Sequence, residues 1–566
     1  IFQLQAGIQL EEAVVKGYPM IRMEVDRLIY DVEQDTTAYR SKALDILGKL
    51  PFVTIDPKSK NLQVMGGGNY AITVNGRKSL FLSEANQYVA QLLQADKMKT
   101  IELVMTPTGR YADKTAVINI VTSGSLPDGI VGNLLVDANH EYIRPDLAAT
   151  SKIKKLIYQI EYIPEYQYYH KLNSQSLTLN HLGSIRHRTE TAETEWSRDH
   201  RQDISLRASY DLNERNLLTL SGNYTFYKEK AYADEHSRIA DIADQTIKEL
   251  DAENRDILKN NAFKASLNYQ KTFSDQSDRM LTATYSVEHN TDHDTYRQNL
   301  FNGADSTDSK AISTNRLRLT EHTLGVDYSH PFNKQHSYFV TGKTVFRHYS
   351  SDGTSQNGNT APSANEDLTY NQQVYSLTAS YTWRHKKFML MPQISFEVTN
   401  NNMQFTETTD WQNKCFFDVI PQLLFIYQMG VKSSWTLSYS KPAFRPDIYY
   451  LNPFVNDSDP THIIVGNPRL KPEKKHVFNI AYRFFAPKFE INASANYAYS
   501  SNAIYPYDYV NEDGIRTTTY GNIGRSDIVA LNLGLRYRNL NKINAWLNGT
   551  TTYSHYSYSE NDYPLW

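Results

Sequence analysis

The chain has 566 residues, more than one ordinary core can serve, so two or more domains are expected. Mean hydropathy is −0.56 and no apolar run reaches the ~18 residues of a transmembrane helix, which excludes a helical membrane protein. A barrel stays open, because lumen-facing polar residues dilute the average. A net charge of −3 argues against nucleic acid as a partner, and a single cysteine, Cys415, excludes an intramolecular disulfide.

No charged start, apolar core or cleavage site opens the chain at Ile1, so it reads as mature, trimmed or incomplete. Before about residue 128, helix and strand signals mix. Ser41 is placed to cap a short helix through Leu47, with Pro51 soon after. Phe52–Ile55, Leu62–Met65 and Ala71–Val74 read as short strands. Ser83 is placed to cap a second helix, with Ala85, Val89, Leu92 and Leu93 on one face. Ile101–Met105 and Val117–Thr122 are further strands. Together these make a small α+β domain. Gly66, Gly67 and Gly68 read as a turn between strands. No Gly-Lys-Ser/Thr follows them, so a phosphate loop is rejected.

From there to the end, turns alternate short and long. Short connections fall at Ile163–Tyr166, Asp211–Asn216, Lys271–Arg279, Pro331–His336, Arg384–Lys387, Gln428–Ser433, Phe485–Lys488 and Asn539–Asn541. Long polar stretches lie between: Glu229–Asp256, Asn290–Asn315, Ser350–Tyr370, Asn400–Asp410, Lys441–Lys474 and Asn502–Asp527. One plain rim and one elaborate rim is the pattern of an antiparallel membrane barrel.

The segments between alternate with period two. Trp435, Leu437 and Tyr439 oppose Thr436, Ser438 and Ser440; Leu531, Leu533 and Tyr537 oppose Asn532, Gly534 and Arg536. The apolar faces finish near Tyr or Trp, and 41 tyrosines suit an aromatic belt at a lipid boundary. A first strand near Gly129–Asn139 and a last at Ile543–Tyr553 bring the count to about 17, whereas single-chain bacterial barrels use even numbers. The closing hairpins are expected to be missing from this sequence.

Three polar segments carry candidate chemistry. Lys441–Lys474 is stiffened by Xaa-Pro pairs, among them Asn452-Pro453, Asp459-Pro460, Asn467-Pro468 and Lys471-Pro472. Arg445, Tyr449, Tyr450 and Arg469 there either meet a ligand or pack the loop on the wall. Ser237–Glu253 has Ile239, Ile242, Ile247 and Leu250 at roughly helical spacing, and reads as a rim helix that caps its own loop or docks a lipoprotein or another chain. His289 and His293, with Asp292 and Asp294, do not converge as metal ligands on a strand, so no metal is expected. No catalytic set emerges, and no enzyme or cofactor is expected.

Several motifs together resemble the TonB-dependent outer-membrane receptors. Leu47–Pro51, Ile72–Gly76, Ile101–Val104, Pro107, Gly109-Arg110-Tyr111 and Val117–Thr122 with Asn119 match that family's plug, and Gly66–Gly68 belong to the same plug pattern. Phe444–Pro446, Leu451–Pro453 and Gly466–Glu473 look like its barrel signature.

The resemblance implies an antiparallel 22-stranded membrane β-barrel whose lumen holds an N-terminal α+β plug, leaving about five strands beyond those present here. It implies a linker over residues 1–18, a plug over 19–127 and a barrel over 128–566. Leu10-Glu11-Glu12-Ala13-Val14-Val15 is the best match to the coupling segment, or TonB box, which would add as a strand to a TonB-type energy-transducing partner. The implied function is import of a scarce small nutrient across the outer membrane of a Gram-negative cell. Lumen charges such as Lys264, Arg483 and Arg536 would hold the plug. A receptor or assembly platform without transport is the alternative, and a passive porin fits the plug-like front least.

Overall fold

The computed structural model describes residues 20–558, except 39–40, 56–61, 66–68, 79–94, 108–110, 112–113, 123–127, 169–171, 183–184, 241–244, 274–275, 303–308, 358–367, 406–411, 431, 452–455, 460–461, 487, 511–515 and 539–543. Its first part is built from eight short strands: β1 (Ile21–Met23), β2 (Arg27–Asp31), β3 (Val53–Ile55), β4 (Leu62–Val64), β5 (Tyr70–Val74), β6 (Arg77–Lys78), β7 (Met98–Val104) and β8 (Ala116–Thr122). Six form one sheet in the order β1-β2-β7-β8-β5-β6; β3 and β4 pair separately. Only β5 and β8 run parallel.

Alternation in β7 buries Ile101 and Leu103, a register shift between Met98 and Thr100 brings Met98 to the same core, and Leu28, Tyr30, Ile118 and Ile120 meet them from the neighbouring strands. The helix Ala43–Leu47 packs Ile46 and Leu47 on this layer. Its cap is Lys42, not the expected Ser41. The Lys42 N–H donates to the Asp45 carboxylate at 3.1 Å, while Ser41 Oγ donates to the Thr37 carbonyl at 2.9 Å. An acid at the third helical position therefore does the capping from inside the turn. The second expected helix, at Ser83, lies outside the described residues.

The wall begins with β9 (Gly129–Ala138), β10 (Tyr142–Ile153), β11 (Leu156–Tyr168), β12 (Leu172–Leu182), β13 (Ile185–Asn213), β14 (Asn216–Ala240), β15 (Thr246–Phe273), β16 (Gln276–Asn302) and β17 (Ser309–Pro331). It continues with β18 (His336–Asn357), β19 (Leu368–His385), β20 (Phe388–Phe405), β21 (Gln412–Gly430) and β22 (Ser433–Ser440). Three small strands, β23 (Ala443–Phe444), β24 (Asn456–Asp459) and β25 (His462–Ile464), precede β26 (Glu473–Ala486), β27 (Phe489–Val510), β28 (Arg516–Arg538) and β29 (Asn544–Tyr558).

The barrel order takes in all 21 of these strands. β12 continues β11 along β13, and β23–β25 belong to one loop, so 17 make the wall itself. At the seam, β9 and β29 pair with β10 and β28, and both faces of each are largely exposed.

Outward positions are apolar and exposed to lipid: Leu377, Tyr381, Trp383, Leu437, Leu531 and Tyr537 each show 40–54% of their surface. Their neighbours in sequence turn inward, where Thr436, Ser380 and Thr382 are buried. Both face assignments read from the alternation are correct.

Seven of the eight expected short connections join consecutive paired strands. Ile163–Tyr166 does not: it lies inside β11, with Pro164 opposite Gln202. The real turn is Lys154–Lys155, where Lys154 adopts φ 52°. Among the described residues, five of the six long polar stretches are largely strand. β14 and β15 pair from Asn216↔Lys271 to Ala240↔Thr246, well beyond the ~9–11 residues that span a bilayer. The Ser237–Glu253 helix is therefore absent among the described residues, and Ile239 faces Lys248 across a ladder. A continuous backbone ladder outweighs the weak helical spacing of four apolar side chains. A partner docked on that helix falls with it.

Candidate functional site

The β1–β8 unit sits inside the barrel, because its contacts run round the inner wall near the short turns. Asp26, in the β1–β2 turn, accepts from Arg384 of β19 at 3.0 and 3.2 Å and from its own neighbour Arg27 at 3.1 Å. Gln428 of β21 donates to the Met23 carbonyl at 2.6 Å. Farther along the same wall, Glu490 of β27 accepts from the Phe52 N–H at 2.8 Å, and Arg536 of β28 donates to the Val53 carbonyl. Arg483 of β26 reaches Thr106, and Arg77 pairs with Asp211 at 2.7 Å. The wall thus grips a plug along the arc from β19 to β28 and again at β13.

These contacts are polar, and apolar ones stand beside them: Phe485 and Ile157 of the wall pack on the plug core, and Val25 packs against Met389, Met391, Leu424 and Ile426. Among the described residues, two cavities lie between plug and wall. One, about 470 Å³, is lined by Asp26, Arg27, Tyr111, Asp327 and Arg384. The other, about 580 Å³, is lined by Phe52, Thr54, Arg483, Glu490 and Arg536.

Burial alone would raise the Asp26 carboxyl, but Arg27 and Arg384 outweigh it and hold the group below the usual carboxylate range. Inside the plug, Asp35 behaves likewise: Lys49, Thr37 and Tyr30 overcome its desolvation.

Above the plug, the loop between β22 and β26 folds inward. Arg445 donates to Thr399 at 2.9 Å and pairs with Glu397, both on the inner face of β20. Arg347 pairs with Glu321 and donates to Gln372, which in turn donates to Tyr370 and Asn401. Leu451 and Leu470 are buried with Leu368, Tyr370, Met403 and Tyr520. Lys414 donates to the Pro468 carbonyl, Asn467 to the Tyr520 carbonyl, and Lys474 pairs with Asp418. The loop is clamped on the wall. What it presents is Tyr449, 60% exposed, in edge contact with Tyr450 and Tyr520.

The expected site residues divide accordingly. Arg445 is a wall anchor, Tyr449 and Tyr450 border the open lumen, and Arg469 is exposed beside Asn467. Asn119 is structural: it accepts from Thr73 and the Gly76 N–H and donates to Glu102, tying β5, β7 and β8 together. Pro107 follows β7, and Tyr111 borders the first cavity. Leu10–Val15, Gly66–Gly68 and Arg110 lie outside the described residues. Arg483 and Arg536 reach the plug as expected, but Lys264 pairs with Glu288 on the wall at 2.8 Å. His289 and His293 share the outward face of β16 with Tyr285, while Asp292 and Asp294 take the opposite one, so the four do not converge. Asp26, Glu490 and Arg384 were not singled out. Arg384 was expected in the short connection Arg384–Lys387 but ends β19, inward beside outward Trp383, and nothing local marks its partner.

The model of the outer membrane protein beta-barrel family matches residues 275–564. The chain belongs to that family. Solved barrels extend the likeness to the front of the chain. The siderophore receptor PiuA from Acinetobacter baumannii is 12% identical with a TM-score of 0.51, covering 94% of this chain and 79% of PiuA. The copper transporter OprC is 11% identical at 0.50, covering 95% and 80%. FpvA of P. aeruginosa, bound to heterologous pyoverdines, is 11% identical at 0.50, covering 94% and 70%. A comparison with curated protein sequences found no match. The fold is that of the TonB-dependent receptors, and this family places the chain in the outer membrane of a Gram-negative cell.

Proposed function

We propose that this barrel imports a scarce extracellular nutrient, drawing energy from an inner-membrane complex through a TonB-type protein that engages Leu10–Val15. One observation carries the reading: a folded plug stoppers the lumen through polar contacts, Asp26–Arg384 and Glu490–Phe52 foremost. Such contacts can be replaced one at a time by contacts with water, each at a net cost of about 0.5–3 kcal/mol, so the plug can shift by exchanging partners without unfolding. A small ligand would settle against Tyr449, Tyr450 and Tyr520, over the Arg445–Glu397 and Arg347–Glu321 pairs.

Deleting Leu10–Val15 tests the coupling. Uptake into cells that depend on this chain should fall to background while surface binding of the nutrient persists. Undiminished uptake would remove energised import and leave a receptor without transport.

A further inference from the structure

The short connections close one rim of the barrel, and in an outer-membrane barrel that rim faces the periplasm. Five of them carry lysine beyond the last ladder pair: Lys154-Lys155, Lys334, Lys386-Lys387, Lys432 and Lys488. A sixth holds Arg215 beside Glu214. The lysines are all exposed. Among the described residues, no carboxylate comes within ion-pair distance of any of them. Asp128 accepts from the Lys154 N–H, but its ion pair is with Lys152, at 2.9 Å.

Two of these turns hold lysine against its own preference. Lys154 adopts φ 52° and Lys386 φ 50°, each at the first position of a two-residue hairpin loop. Glycine, asparagine or aspartate takes that left-handed conformation more readily, and a lysine there costs stability. Each is followed by a second lysine, so each loop also bears its own repulsion. Turn formation alone does not select such residues; the charge is kept in spite of it.

The position of the lysines says what they meet. Outward residues beside the turns are apolar: Ile153, Leu156, Phe388 and Phe489 are all exposed to lipid. Lipid phosphates would be met from outward strand positions at the end of that face. The lysines lie past it, in the connections themselves, and recur from the β10–β11 turn round to the β26–β27 turn. A soluble acidic protein would cover one arc of such a ring. Charges set round one rim fit a flat, open-meshed layer lying beneath all of it.

The geometry points to this rim as a docking surface for the peptidoglycan layer, an anionic polymer sheet parallel to the membrane whose charge sits on peptide carboxylates. Ammonium groups on flexible stems meet scattered carboxylates without demanding one fixed arrangement. The surface is separate from the lumen and independent of what the lumen carries.

The test is co-sedimentation of the full chain, in detergent micelles, with purified sacculi stripped of bound protein. The parent should sediment at low salt and be released as salt screens the ring. A combined Lys154→Gln, Lys334→Gln, Lys386→Gln, Lys387→Gln, Lys432→Gln and Lys488→Gln variant should sediment about tenfold less. The six matching arginine replacements should sediment as the parent does. Sacculi whose carboxylates have been converted to amides should no longer carry the parent down. Lys154→Gly with Lys386→Gly gives a measure that no folding defect can imitate: it should melt higher than the parent, because glycine accepts the turn, and yet sediment less. Equal sedimentation of the parent and the glutamine variant, unchanged sedimentation with amidated sacculi, a glycine variant that sediments as the parent does, or phosphatidylglycerol vesicles that bind the parent as strongly as sacculi do would each overturn the proposal.

Discussion

Arg384→Gln should loosen the plug. The guanidinium makes two charge-assisted hydrogen bonds to Asp26, at 3.0 and 3.2 Å, and the Asp26 side chain is only 10% exposed. Hydrogen bonds to charged groups contribute ~1.5–3 kcal/mol. Two features move this pair toward the lower end. Arg27 stays on the same carboxylate, so Asp26 is not left bare, and the Arg384 side chain is itself 30% exposed. About 1.5 kcal/mol is expected, close to a tenfold rise in the fraction of molecules with the plug released. Conductance across planar bilayers in rising urea would report that release. A cycle of Asp26→Asn, Arg384→Gln and the double variant would isolate the pair, with a coupling of ~1 kcal/mol or more. If the single variants keep the parent's urea midpoint, or their effects simply add, the wall does not hold the plug through this pair.

Acid should loosen the plug by a related route. Asp26 and Asp35 titrate below their ordinary range in the folded plug. Their contribution is therefore complete above the unfolded value of ~3.9 and is lost as pH falls through the folded values. Plug stability should hold from neutrality to about pH 4 and then drop, and Asp35→Asn should shrink that drop in urea titrations at each pH. On the wall, Leu437→Lys faces lipid and should cost ~2–4 kcal/mol in folding titrations into vesicles, while Ser438→Lys, facing water, should cost far less. Tyr449→Ala should weaken nutrient capture without moving the thermal midpoint. Leu451→Ala, by contrast, empties a site 2% exposed and should destabilise by ~2–5 kcal/mol in the same melts.

The barrel was legible because one face of each strand must meet lipid, and that demand writes period two into the residues. Trp435–Tyr439 and Leu531–Tyr537 needed nothing beyond it. Where lipid ends the signal ends too. Glu229–Asp256 is polar on both faces and looks like a loop, yet it forms one of the longest ladders in the molecule. The Lys154–Lys155 turn carries no glycine, asparagine or proline to announce it, whereas Pro164 advertised a turn inside a strand. In the plug, β1 and β2 are too short to show alternation, and the Asp26–Arg384 contact joins residues 358 positions apart. The Lys441–Lys474 loop was recognisable as stiff from its prolines. Which tyrosine it leaves uncovered depends on how Leu451 and Leu470 seat, and only the folded chain decides that.

The tall hairpins above the lipid carry one more consequence. A ladder such as β14–β15 has already surrendered its backbone freedom during folding, at a cost of ~1–2 kcal/mol for each residue held. A visitor entering between such walls finds a funnel already shaped and has little chain to immobilise. Its capture should therefore be quick, weakly dependent on temperature and governed by fit, with any slow step belonging to the stopper below.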